Sequence, residues 1–154
     1  MRLGKLSDCE AHLLTCLKEA AEDQKTKEVY LVGGCVRDKL LGDNTWDFDV
    51  SCPNAVLRAL MSSVQSSLWK KKDTAPLEFV RELPPFTIHE YPSAGTDVFS
   101  FKLRHKDTKQ PFKVDFRGLK EESVRSDALT RDFRLNAIYY SVVDDELVDP
   151  FNVG

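Results

Sequence analysis

Apolar positions recur along this chain with two different periods, and the switch between them marks out its elements. Ser7 and Glu10 have the spacing of a capping box, and Leu13, Leu14, Leu17 and Ala21 follow at helical intervals, which predicts a helix over about residues 8–23. After the polar stretch Glu22–Lys27 comes a short apolar run, Val29–Val32, read as a buried strand that ends at Gly33-Gly34. Cys35–Leu41 returns to helical spacing and stops at Gly42, a residue that suits a helix C-terminus. Asp43–Trp46 reads as a turn and Asp47–Ser51 as a second strand; Pro53 opens a further helix through Val56, Leu57, Leu60, Met61 and Val64.

Between residues 77 and 117 the pattern becomes strand-like. Leu77–Arg81, Phe86–Tyr91, Val98–Leu103 and Phe112–Phe116 are expected as strands, punctuated by Pro84-Pro85, Pro92 and the segment 107–110. A late helix is expected from Val124 through Leu129, Phe133, Leu135 and Ile138, followed by a hairpin around Asp144-Asp145. Helices interleaved with strands and then a run of strands predict an α+β fold, with a mixed sheet of about five strands and helices packed on one side.

Composition narrows this picture. With 154 residues, 42% of them hydrophobic, one domain spanning 1–154 can build a core without disulfide or metal staples. The net charge of −3 provides no global basic footprint for nucleic acid, and the local cluster Lys70–Lys72 beside Trp69 reads first as a solvated loop. Cys9, Cys16, Cys35 and Cys52 lack CxxC spacing and only three histidines are present, which argues against zinc and for free thiols in a reducing compartment. A cytoplasmic site is the expectation; mitochondrial and nuclear sites are compatible with it. No apolar run approaches the ~20 residues of a membrane span, so no membrane partner is expected. Cys35 reads as a packing residue.

Candidate chemistry concentrates in three stretches. Gly33-Gly34 between strand and helix frees the backbone to approach an anion, and matches neither the dinucleotide-binding nor the P-loop glycine pattern. Asp47 and Asp49 flank Phe48, so both carboxylates share one strand face, where a divalent cation would offset their repulsion. Asp115 in Phe112–Phe116 is the third acid in prospect, with a plain surface position an equal reading from pattern alone. In 127–137, Arg131, Arg134 and Asn136 can reach phosphates or a ribose, and Asp132 can orient a guanidinium; a helix with scattered charges is the blander reading.

In this order these segments resemble the class II nucleotidyltransferase family, which comprises CCA-adding tRNA nucleotidyltransferases and bacterial-type poly(A) polymerases. Gly33-Gly34-Cys-Val-Arg-Asp38 resembles its GGxVRD motif, and Leu40-Leu41-Gly42 with Asp47-Phe-Asp49 its LLG…DxD. Val114-Asp115-Phe116, Arg131-Asp132-Phe133, Asn136-Ala137 and Asp149-Pro150 follow suit, so the likeness covers about residues 28–154. Thr130 and Arg134 depart from the family's RRDFT, where arginine and threonine are usual.

The resemblance implies a polymerase-β-like catalytic head. Two Mg2+ ions would sit on Asp47 and Asp49, with Asp115 as the third catalytic acid. Gly33, Gly34, Arg37 and Asp38 would belong to the phosphate-binding turn, and Arg131, Asp132, Arg134 and Asn136 would position the incoming nucleotide. It further implies ATP and CTP as substrates and a tRNA 3′ end as acceptor, with poly(A) synthesis or a non-catalytic binding module as alternatives. Oligomeric state is open. The family's neck, body and tail domains are expected to lie outside these 154 residues. A DxD glycosyltransferase is disfavoured by the short spacing from Gly-Gly to DxD and by Arg131-Asp132.

Overall fold

The computed structural model describes residues 3–88, 96–131 and 137–150. Among the described residues seven strands form one sheet: β1 (Tyr30–Val32), β2 (Asp47–Cys52), β3 (Leu77–Ile88), β4 (Thr96–His105), β5 (Pro111–Gly118), β6 (Tyr139–Ser141) and β7 (Glu146–Val148). Their order is β3-β4-β5-β2-β1-β6-β7, and β2–β5 is the parallel pair among otherwise antiparallel neighbours. The sheet is thus mixed, as expected, but wider than five strands, because the terminal hairpin β6–β7 joins it beside β1.

Among the described residues four α-helices accompany it: α1 (Asp8–Asp23), α2 (Gly34–Leu40), α3 (Leu57–Lys70) and α4 (Val124–Leu129). The capping box of α1 forms with both of its bonds, Glu10 N–H to Ser7 Oγ at 3.2 Å and Ser7 N–H to Glu10 Oε1 at 2.7 Å. Leu13, Cys16, Leu17, Ala20 and Ala21 then face the core, where they meet Leu60, Met61, Val64 and Leu68 of α3 and Phe48, Val50, Phe112, Val114 and Phe116 of the sheet. Burying this stripe is the main stabilising term of the fold, at about 25 cal/mol per Å² of apolar surface. Just past the end of α2, Gly42 has a φ of +83° that only glycine adopts cheaply; Gly42 N–H bonds the Lys39 carbonyl and Asp43 N–H the Asp38 carbonyl, which satisfies the helix end.

Two expectations change. Leu77–Arg81 and Phe86 onward merge into one strand, β3, because the Pro84-Pro85 break falls within a register shift between Leu83 and Phe86 on a sheet edge. There prolines interrupt no ladder on the open side; residues 89–91 lie outside the described residues. α4 ends at Leu129, where Thr130 Oγ1 bonds back to the Asp127 carbonyl at 2.7 Å; Phe133 and Leu135 of the expected longer helix lie outside the described residues. This short helix also covers the opposite face of the sheet from α1 and α3, in a small cluster of Val32, Leu119, Ala128, Ala137 and Tyr139.

Candidate active site

The face of the sheet opposite α1 and α3 carries the candidate residues, and strand register decides which of them meet. One row runs through all seven strands: Leu83, Ser100, Asp115, Asp49, Val32, Tyr139 and Val148. Asp49 and Asp115 are therefore direct neighbours across a parallel pair, on strands about 4.8 Å apart. Phe48 and Val114 between them point the other way into the core, where Phe48 stacks on Phe112 at 6.4 Å. Asp47, one row along, is exposed at the start of β2.

Electrostatics separate the three acids. Burial first, and then the charge of Asp115, push the Asp49 carboxyl above its ordinary value, while Arg131 and Arg117 pull the other way. Asp115 is held at Oδ1 by the Ser100 hydroxyl at 2.6 Å and faces the Lys113 ammonium at 3.5 Å. Ser51, two residues beyond Asp49 on the same face, buries its hydroxyl without a partner among the described residues.

The glycine turn closes over Asp49. Gly33 has φ +83°, and a Cβ there would stand 3.1 Å from Asp49 Oδ2 and 3.9 Å from Arg131 Nη1, so turn, carboxylate and guanidinium converge. A Cβ on Gly34 would stand 3.3 Å from Arg37 Nη2, and Arg37 Nε lies 3.6 Å from Asp38 Oδ1. Arg131 in turn is anchored from beneath. Its Nε donates to the Tyr139 hydroxyl at 3.3 Å and its Nη2 lies 3.4 Å from Asp127 Oδ2, while the Tyr139 hydroxyl also donates to Asp127. Burial opposes the Arg131 charge, but Tyr139 and Asp127 outweigh it and hold the group above its ordinary value. Asp132, Arg134 and Asn136 lie outside the described residues.

Sequence reasoning overlooked Asp127 and Tyr139 as the support of Arg131. The i, i+4 spacing of Asp127 and Arg131 was the available signal. It also overlooked Glu10, whose carboxylate is 1% exposed and bonds Lys39 Nζ at 2.8 Å and the Thr45 amide at 3.3 Å. Thr45 Oγ1 donates to the Asp47 carbonyl at 3.0 Å, so this buried pair braces the turn into β2. Cys35 is buried, its thiol pushed up to about 12 by burial, in keeping with a packing role.

The carboxylates suit a hard cation such as Mg2+ in kind, and a cation would offset the repulsion that raises Asp49. Among the described residues no three acidic, histidine or cysteine side chains already converge on one point. Both partners of Asp115 sit on Oδ1, so its second oxygen could join a shared ion while Ser100 and Lys113 stay in place.

Comparison with known proteins gives this geometry a context. The family described as "Poly A polymerase head domain" matches residues 29–154. The tRNA nucleotidyltransferase cca2 of Schizosaccharomyces pombe is 26% identical over 94% of this chain and 33% of its own length. Poly(A) polymerase I of Haemophilus influenzae is 29% identical over 80% of this chain and 27% of its own. A solved tRNA nucleotidyltransferase, complexed with a primer tRNA and an incoming ATP analog, superposes with a TM-score of 0.53 at 27% identity. It covers 88% of this chain, which matches 34% of that structure. The chain thus spans about a quarter to a third of the length of these relatives.

Proposed function

Because the chain belongs to the poly(A) polymerase head-domain family, we propose that it is the catalytic head of a template-independent RNA nucleotidyltransferase that adds CCA to tRNA 3′ ends from CTP and ATP. The observation that carries this reading is the register of Asp49 against Asp115, with Gly33 and Arg131 gathered on the other side of Asp49. Asp47 and Asp49 would hold Mg2+ with Asp115 assisting, and the bound ions would supply charge stabilisation at the α-phosphate and acidify the attacking 3′-hydroxyl.

This chain's own residues do the positioning. Gly33 and Gly34 leave room for a triphosphate to approach the backbone. Arg131, locked by Asp127 and Tyr139, presents a fixed positive charge beside Asp49, and Arg37 lies over Gly34. Holding the reactants in line and meeting developing charge with pre-aligned groups accounts for most of the rate enhancement in such transfers. The names of the relatives favour RNA 3′ ends as acceptors, tRNA for one and poly(A) synthesis for the other.

The test is extension by the intact protein of a tRNA lacking CCA, with each nucleoside triphosphate offered singly and then together. Addition of CMP twice and AMP once, then arrest, is the expected result. Open-ended AMP addition would replace this reading by poly(A) synthesis, and no incorporation under any condition would leave only a binding role.

A further inference from the structure

Beside the row of Asp49 and Asp115 runs a second one, which extends from the proposed metal site out to the sheet edge. Arg81, Lys102 and Lys113 stand opposite one another across β3, β4 and β5, and Asp47 continues the row on β2. Cations side by side across a sheet repel; Lys113 is offset by Asp115 Oδ1 at 3.5 Å and by Asp47 beside it, which leaves the Arg81–Lys102 pair as the uncompensated part of the row. Arg81 and Lys102 are exposed and make no ion pair among the described residues. A cavity of about 360 Å³ opens at this row, walled by Trp46, Asp47, Leu83, Lys102, Phe112 and Lys113. The Trp46 ring is 42% exposed yet fixed edge-on against Phe112 at 5.0 Å, and Lys113 lies 5.7 Å from the exposed Phe86 ring. Aromatic faces interleaved with cations are the chemistry of single-stranded nucleic acid binding.

Geometry fixes which strand belongs there. Gly33 and Arg131 gather on the β1 side of Asp49, which suits a triphosphate; the cationic row and its cavity lie on the β5 side. In-line displacement sets the attacking hydroxyl opposite the leaving pyrophosphate. We propose that Arg81, Lys102 and Lys113 track the phosphates of the RNA strand being extended, with one of its last bases against the Trp46 ring. This deepens the proposed function and rests on it for the direction of the strand.

The test is titration of a Trp69→Phe variant, in which Trp46 is the remaining tryptophan, with a short oligoribonucleotide ending in CC, read by tryptophan emission. ATP binding is measured in parallel, with Lys72→Ala, on the α3 side, as the control. Emission should fall on RNA addition. Lys102→Ala should weaken RNA binding several-fold and lower the slope of log K against log salt by about 0.7, the single-strand value per cation. Lys72→Ala should change neither, and ATP affinity should stay constant in all variants. RNA binding that leaves Trp46 emission unchanged, an unaltered salt slope in Lys102→Ala, or no RNA binding would overturn the track. If ATP binds in those cases, the nucleotidyl-transfer reading survives; if the RNA behaviour is as expected but ATP fails to bind, the track stands and that reading falls.

Discussion

Replacing Lys39 by methionine would strip the Glu10 carboxylate of its cation inside the core. Lys39 and Glu10 are 4% and 1% exposed and 2.8 Å apart. At an effective dielectric near 20 their attraction is about 6 kcal/mol, set against a desolvation cost of several kcal/mol per ion. Removing one partner of such a pair typically costs 3–5 kcal/mol. Glu10 would keep the Ser7 and Thr45 amide donors, so about 3 kcal/mol is expected at pH 7, read from urea unfolding. Acid should shrink that loss. In the native protein burial alone would raise the Glu10 pKa, but Lys39 and the amide donors win and lower it. Its stabilising contribution is therefore complete above the unfolded value of about 4.3 and disappears as pH falls through the depressed one. Without Lys39 burial dominates and the Glu10 pKa rises, so the variant gains stability on acidification where the native protein loses it. The double variant Glu10→Gln/Lys39→Met should recover more than half of the loss. A single-variant cost below about 1 kcal/mol, or a double variant no better than the single, would refute the reasoning.

Asp49→Asn should raise stability at pH 7, because the raised carboxyl pKa means the ionised form opposes folding above its unfolded value. In thermal melts Mg2+ should stabilise the native protein and leave this variant unmoved. Tyr139→Phe removes the hydroxyl shared by Asp127 and Arg131; about 1.5–3 kcal/mol of stability should be lost, with KM for nucleotide rising in extension assays. Gly118→Ala would place a Cβ 1.7 Å from Asn54 Oδ1, displacing the amide that bonds Glu122 and the Leu119 carbonyl. A cost of roughly 1–3 kcal/mol in chemical denaturation is expected. Cys35, with its thiol near 12, should resist alkylation in the native state at pH 8 and react fully in urea, as mass spectrometry can show.

The parts legible in the sequence were those whose cause is local. The Ser7–Glu10 box, the Gly42 stop and the alternation of Asp47, Phe48 and Asp49 all act within a few residues, and each appears where expected. β3 misled because a proline pair reads as a break from sequence alone, whereas an edge strand tolerates it. Asp115 could be named but not assigned a face, since its meaning comes from register against Asp49. Glu10 was hidden by its own motif: it serves the capping box and, at once, a buried lysine twenty-nine positions away. Asp127 and Tyr139 became meaningful only when α4 folded onto the sheet beside β6.

The parallel pairing of β2 with β5 orders events in time. Everything from α3 to the β3–β4 hairpin lies between the two strands in sequence, so Asp49 meets Asp115 only after that excursion has closed. Such distant pairings form late and slowly, after the local helices and the hairpin. While the chain emerges during synthesis, Asp47 and Asp49 are present before Asp115. The chemistry proposed for this centre is therefore coupled to completion of the sheet, and a slip of β5 by one residue would turn Asp115 into the core and leave Asp49 without its neighbour.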